Sequence, residues 1–183
     1  MLKRILVTGK NGQLGLSLMR ATSLASMKEV TFVGRAELDL SKPEQVLRYF
    51  DSHHYDYIIN GAAYTAVDKA ETEQQQAEQV NHYAVSQLAE IAKEQNTALV
   101  QISTDYVFDG AQNRPYGENE PTNPQGSYGA TKQRGEQAVL DIAPQGCIVR
   151  TSWLYSEFGN NFVKTMLRLA KEREKIGVVF DQV

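Results

Sequence analysis

The segment from Arg4 to Gly15 constrains this chain more than any other. A β-branched run, Arg4-Ile5-Leu6-Val7, leads into Gly9-Lys10-Asn11-Gly12-Gln13-Leu14-Gly15. Helical periodicity then starts at Gln13, with Leu14, Leu18, Ala21 and Ala25 on one face. Few folds accept a strand, a glycine loop and a helix in that order. Gly9 permits the tight turn, Gly12 lets a pyrophosphate approach the main chain, and Gly15 lets the helix pack close to the sheet. Free N–H groups and the helix dipole favour an anion there.

The same alternation continues along the chain. Val30-Thr31-Phe32-Val33 reads as a second strand and Glu37-Leu38-Asp39-Leu40 as a short third. Ser41 reads as an N-cap, with Pro43 in the first turn of a helix running to about Phe50. Tyr57-Ile58-Ile59 is a fourth strand, and Ala77, Val80, Ala84, Leu88 and Ile91 mark a long amphipathic helix. Residues 98–102 form a fifth strand, residues 128–142 a helix, and Cys147-Ile148-Val149-Arg150 a sixth strand. A helix from Phe162 to Glu174 presents Val163, Met166, Leu167 and Ala170 on one face, and Gly177 to Phe180 begins a seventh strand. Strands alternating with helices predict an α/β, Rossmann-like, doubly wound, mostly parallel sheet. The Gly/Pro/Asn-rich stretch from Asp109 to Ser127 is long enough to be a lid or binding loop.

Charge and cysteine content exclude several classes. Net charge is -3 over 183 residues, with basic residues scattered, so nothing marks a nucleic-acid surface. No apolar run approaches the ~18 residues of a membrane helix, and the early first strand argues against a signal peptide. The single cysteine, Cys147, sits in an apolar run and reads as a buried, reduced thiol, as in a cytoplasmic protein. The three histidines form no ligand cluster, so no metal site is expected.

Two further groups of residues carry chemistry. After the second strand comes Gly34-Arg35, with no acid to bind a ribose 2′-hydroxyl. Arg35 can pair with a 2′-phosphate, which favours NADPH with NADH allowed; the alternative is a solvated surface cation. Asp39 and Leu40 would lie beside the adenine. Ala62 and Ala63 would let the backbone pass close to the cofactor, followed by Tyr64 and Thr65. Tyr128 and Lys132, four residues apart, would share one helix face. An ammonium there would lower the phenol pKa and make Tyr128 a proton donor, while Lys132 can also hold the nicotinamide ribose. Thr104 ends the fifth strand, at the carboxyl edge where such sheets bind ligands, and would orient a carbonyl oxygen.

The blocks Gly9–Gly15, Asn60–Glu71, Ser103-Thr104-Asp105-Tyr106-Val107-Phe108-Asp109-Gly110, Tyr128–Lys132 and Arg150-Thr151-Ser152-Trp153-Leu154-Tyr155 occur in this order. Together they resemble the dTDP-4-dehydrorhamnose reductases, within the extended short-chain dehydrogenases/reductases. The resemblance implies reduction at C4 of a nucleotide-linked keto-sugar by a cytoplasmic enzyme, for which a homodimer is allowed. It implies catalytic roles for Thr104, Tyr128 and Lys132 and substrate roles for Thr104, Asp105 and Trp153; the alternative for Trp153 is a plain core aromatic. Asn81 resembles the family's helix asparagine or is an ordinary helix residue. The implied division is a cofactor domain over residues 1–153, the start of a smaller substrate lobe over 154–176, and a return strand over 177–183. The family pattern continues beyond Asp181-Gln182-Val183, so the resemblance implies a chain cut short, binding cofactor with weak or absent sugar reduction. An NADP-binding regulatory protein resembling the regulatory subunit of methionine adenosyltransferase is the alternative. A nucleotide-sugar epimerase is a further one; a dehydratase is disfavoured because Asp105-Tyr106, not Asp-Glu, follows Thr104.

Overall fold

The computed structural model describes residues 3–24 and 29–177. Strand β1 (Ile5–Thr8) opens the chain and the glycine loop turns it into helix α1 (Gln13–Leu24). There follow β2 (Val30–Val33), α2 (Pro43–Ser52) and β3 (Tyr57–Asn60). The long helical stretch is α3 (Gln74–Glu78), a π-turn (Gln79–Tyr83) and α4 (Ala84–Gln95). Then come β4 (Ala98–Thr104), α5 (Ser127–Ile142), β5 (Gly146–Thr151) and α6 (Phe162–Glu172). The strands form one parallel sheet in the order β2-β1-β3-β4-β5, flanked by the helices. The chain leaves β1 for β2 on one side and returns to β3 on the other. The loop after β1 therefore sits at the switch point, where ligands bind in sheets of this kind.

Burial follows the periodicity. Ala77, Val80, Ala84, Leu88 and Ile91 are all buried, and α4 packs Leu88 and Ile91 into the same core as Leu6, Ile58 and Leu99 of the sheet. Asn96, in the left-handed region at φ 54°, ends α4 and lets Thr97 donate back to Ala92. On α2, Pro43 stands at the first helical position, where no N–H is needed, and Val46 and Phe50 face the core.

Four sequence expectations need correction. Residues 37–40 form no strand. Leu38 and Leu40 are buried as alternation requires, but Leu38 N bonds Gly34 O in a turn, so the ladder partner is missing. Ser41 is not the cap of α2: Lys42 takes that position, while the Ser41 hydroxyl donates to Asp39. Cys147 is exposed, because β5 is an edge strand among the described residues and its alternation turns Cys147 and Val149 outward. Helix α6 ends at Glu172 rather than Glu174, and it buries none of its residues, so Val163 and Leu167 stand exposed. The seventh strand, and Phe180 before Asp181, fall outside the described residues apart from Gly177, and Ala25 does too.

Candidate active site

The turn after β1 depends on glycine at two points. Gly9 has φ 75°, and a Cβ at Gly15 would stand 2.4 Å from the Gly9 carbonyl oxygen. Helix α1 thus packs directly on the turn. Gly12 faces outward, with Gly9 O the nearest atom to an added Cβ at 3.3 Å. Beside it lies a cleft of about 300 Å³, walled by the glycine turn, the Gly34-Arg35 corner, Asp39-Leu40 and the Ala62-Ala63 segment. Small residues and exposed backbone on three sides fit a dinucleotide; a side chain at Gly12 would fill its phosphate end. Arg35 is largely exposed and stands 4.0 Å from Asp39, with Lys42 at 3.8 Å on the same carboxylate. The end of β2 is not free of acid, contrary to the sequence reading. The turn brings Glu37 back, so that one carboxylate oxygen accepts from Gly34 N at 3.0 Å and the other pairs with Lys10.

The second group gathers at the carboxyl end of β4. Tyr128, in the first turn of α5, is buried and packs edge-on to Tyr106, ring centroids 5.6 Å apart. Gly129 allows this approach: a Cβ there would stand 2.1 Å from Tyr106 O. The helix start is capped from a distance, since Glu71 accepts from Ser127 N at 2.7 Å and from its hydroxyl at 2.9 Å. Burial raises the Tyr128 pKa; the Thr104 hydroxyl opposes that rise and the Asp105 carboxylate adds to it. Lys132, one turn on, is buried and donates to the Ile102 carbonyl at 2.6 Å. Burial brings its pKa down to about 8, with Glu136 pulling the other way. The expectation that Lys132 lowers the phenol pKa is therefore not met. The ammonium is engaged by a carbonyl, and desolvation governs the phenol.

A buried polar ladder joins the two groups. Thr8, on β1, donates to Asn60 Oδ1 at 2.6 Å, and Asn60, on β3, donates to Gln101 Oε1 at 2.7 Å. Gln101, on β4, donates to Ile102 O, the oxygen that Lys132 also holds. Parallel register places Thr8, Asn60 and Gln101 side by side. Each buried amide is thus satisfied, as a dry interior requires. On the far side, Asn81 in the π-turn accepts from Tyr64 N at 2.9 Å and donates to Tyr64 O and to Thr131.

A wider cleft of about 640 Å³ opens over Tyr128, between Asp105, Trp153 and the loop from Asp109 to Gln125. Thr104 donates to Asp105 Oδ1 at 2.9 Å, and Ser152 to Asp105 Oδ2 at 2.9 Å. Trp153 has φ 51°, is more than half exposed, and meets Phe162 edge-on at 4.9 Å. An exposed indole on a strained backbone is not a core aromatic. Among the described residues no group of three His, Cys, Asp or Glu is placed to hold a metal ion.

The sequence matches the family model of the RmlD substrate binding domain over residues 3–183. The chain belongs to this family. Among RmlD relatives, dTDP-4-dehydrorhamnose reductase of Aggregatibacter actinomycetemcomitans is 46% identical over 98% of this chain and 61% of that protein. The dTDP-4-keto-6-deoxy-D-glucose reductase of Streptomyces niveus is 44% identical over 100% of this chain and 63% of that one. A Bacillus anthracis dTDP-4-dehydrorhamnose reductase solved in complex with NADP superposes with a TM-score of 0.91 at 41% identity, over 96% of this chain and 62% of that one. The chain spans about 60% of the length of the curated relatives it matches.

Within this RmlD chain, the expected cofactor residues divide. Gly9, Asn11, Gly12, Arg35, Asp39, Leu40, Ala62, Ala63 and Thr65 line the cleft beside the glycine turn. Gln13, Leu14, Gly15, Tyr64, Tyr128 and Lys132 do not. Gln13 instead accepts from Asn161 at 2.9 Å, and Tyr64 packs with the Tyr128 cluster. Of the expected substrate residues, Asp105 and Trp153 line the wider cleft with Tyr128, while Thr104 reaches it through Asp105. Sequence reasoning missed Glu37, Glu71 and Gln101. Glu71 ends the Asn60–Glu71 segment without a local signal for its role, and nothing local marks Gln101, whose part depends on strand register.

Proposed function

We propose that the chain carries the cofactor-binding and proton-donating part of an NADPH-dependent reductase acting on the C4 ketone of dTDP-4-dehydrorhamnose. The observation that carries this reading is the convergence of the glycine-turn cleft and the buried Tyr128/Lys132 pair at one edge of the parallel sheet. The RmlD relatives named as reductases, one of them an NADP complex, support it. The expected domain division, with residues 154–176 opening a substrate lobe, belongs to the same proposal.

The residues divide the work. Gly9, Gly12 and the start of α1 would hold the pyrophosphate, and Arg35 a 2′-phosphate. The nicotinamide, when bound, supplies a hydride to the carbonyl carbon. Tyr128 keeps its phenolic proton at neutral pH, because burial raises its pKa, and hands it to the developing alkoxide. Thr104 orients the carbonyl oxygen. Lys132, held on the Ile102 carbonyl, would offer its remaining donors to the ribose. Asp105 and Trp153 face the sugar from the wider cleft. A dehydratase is disfavoured, because Asp105-Tyr106 rather than Asp-Glu follows Thr104.

Single-turnover oxidation of NADPH with the dTDP-keto-sugar, by the chain extended to the length of its relatives, tests the proposal. Tyr128→Phe should slow it at least about 100-fold with cofactor affinity unchanged. Equal rates in variant and wild type would refute the assigned role.

A further inference from the structure

Next to Gly34, which lines the cofactor cleft, stands an acid that the cofactor reading does not use. Glu37 stands at the end of β2 and accepts from Gly34 N, while its other oxygen pairs with Lys10 of the glycine turn. The Lys10 stem crosses Gly34: a Cβ at Gly34 would stand 3.3 Å from Lys10 Cγ. Lys10 thus spans from the turn to the strand end, over the place where the adenosine ribose of a dinucleotide is held. Arg35 and Lys42 flank the same corner and share Asp39. Three cations and two carboxylates face one another there, so the corner carries one net positive charge.

We propose that Glu37 is a specificity-determining residue that holds down the preference for NADPH over NADH. This rests on the cofactor reading above. A 2′-phosphate carries close to two negative charges near neutral pH. It must compete with Glu37 for Lys10 and lie near that carboxylate. A 2′-hydroxyl meets no such repulsion and finds in Glu37 an acceptor of the kind NAD-binding folds place at this strand end. Hydrogen bonds from Lys10 and Gly34 hold the Glu37 pKa below its ordinary value, so it is ionised at neutral pH. Arg35 and Glu37 then oppose each other: one attracts the phosphate, the other repels it.

Glu37→Gln keeps an acceptor for Gly34 N and removes only the charge. Dissociation constants for NADPH, NADH, adenosine 2′,5′-bisphosphate and AMP, measured by calorimetry on wild type and variant at fixed ionic strength, give the test. The variant should bind NADPH and the bisphosphate about three- to tenfold more tightly, with NADH and AMP tightened by no more than twofold. The gain should shrink as salt is raised. If wild type binds both dinucleotides and the ratio is the same in Glu37→Gln, the role of Glu37 is wrong and the cofactor reading stands. If folded wild type binds neither dinucleotide, the cofactor reading fails and this inference with it.

Discussion

Lys132 is a cation held where water hardly reaches, and its environment sets the pH behaviour of the site. Burial brings its pKa from the ordinary 10.5 to about 8. Below pH 8 both the folded and the unfolded chain carry this proton, and the cost of burying the charge is fully present. Between about pH 8 and 10.5 the folded chain releases it first, so the Lys132 contribution to stability rises with pH. Chemical denaturation of wild type and Lys132→Met at pH 7.5 and 10 should therefore show wild type gaining on the variant at the higher pH. A pH-independent difference would show that Lys132 titrates as an ordinary surface lysine. The pair Tyr128/Lys132 was legible from its spacing together with the glycine loop and Thr104 at a strand end. The direction of the phenol shift was not, since it depends on what buries Tyr128 and on Ile102 O holding the ammonium.

Helix α5 and strand β5 are tied by one buried ion pair. Glu136 is almost wholly buried and takes two donors from Arg150, which also reaches Glu118 O and lies over the Phe108 ring. The pair thus links the helix of Tyr128 to the long loop over the wider cleft. Arg150→Met leaves a buried carboxylate without its partner and should cost about 3–5 kcal/mol. Adding Glu136→Gln should recover part of that loss, as measured by urea denaturation. Helix α6 behaves differently. Its Leu167 is more than half exposed, so Leu167→Glu should change the stability of this chain by no more than about 0.5 kcal/mol. A larger loss would mean that the apolar face is covered in solution.

At the scale of the molecule, local signals located most of the architecture. Among the described residues five strands lie where apolar runs stood, and the glycine turn falls between β1 and α1. What failed was whatever depended on neighbours. Residues 37–40 alternate like a strand but find no ladder partner, and Cys147 is apolar in context yet faces outward from an edge strand. Glu37 reaches the end of β2 only because the intervening turn folds back, and Gln101 meets Asn60 only through parallel register. Composition and periodicity contain none of these pairings.

The central claim, that the cleft beside the glycine turn holds a dinucleotide phosphate, is tested most directly at Gly12. An added Cβ there meets only Gly9 O, at 3.3 Å, and Gly12 lines the cleft, so Gly12→Val should fold and still block it. Calorimetric titration of NADPH should show saturable binding to wild type, weakened at least about 100-fold in Gly12→Val, with circular dichroism of the two chains alike. Equal affinity in the folded variant would place the cofactor elsewhere and contradict the account.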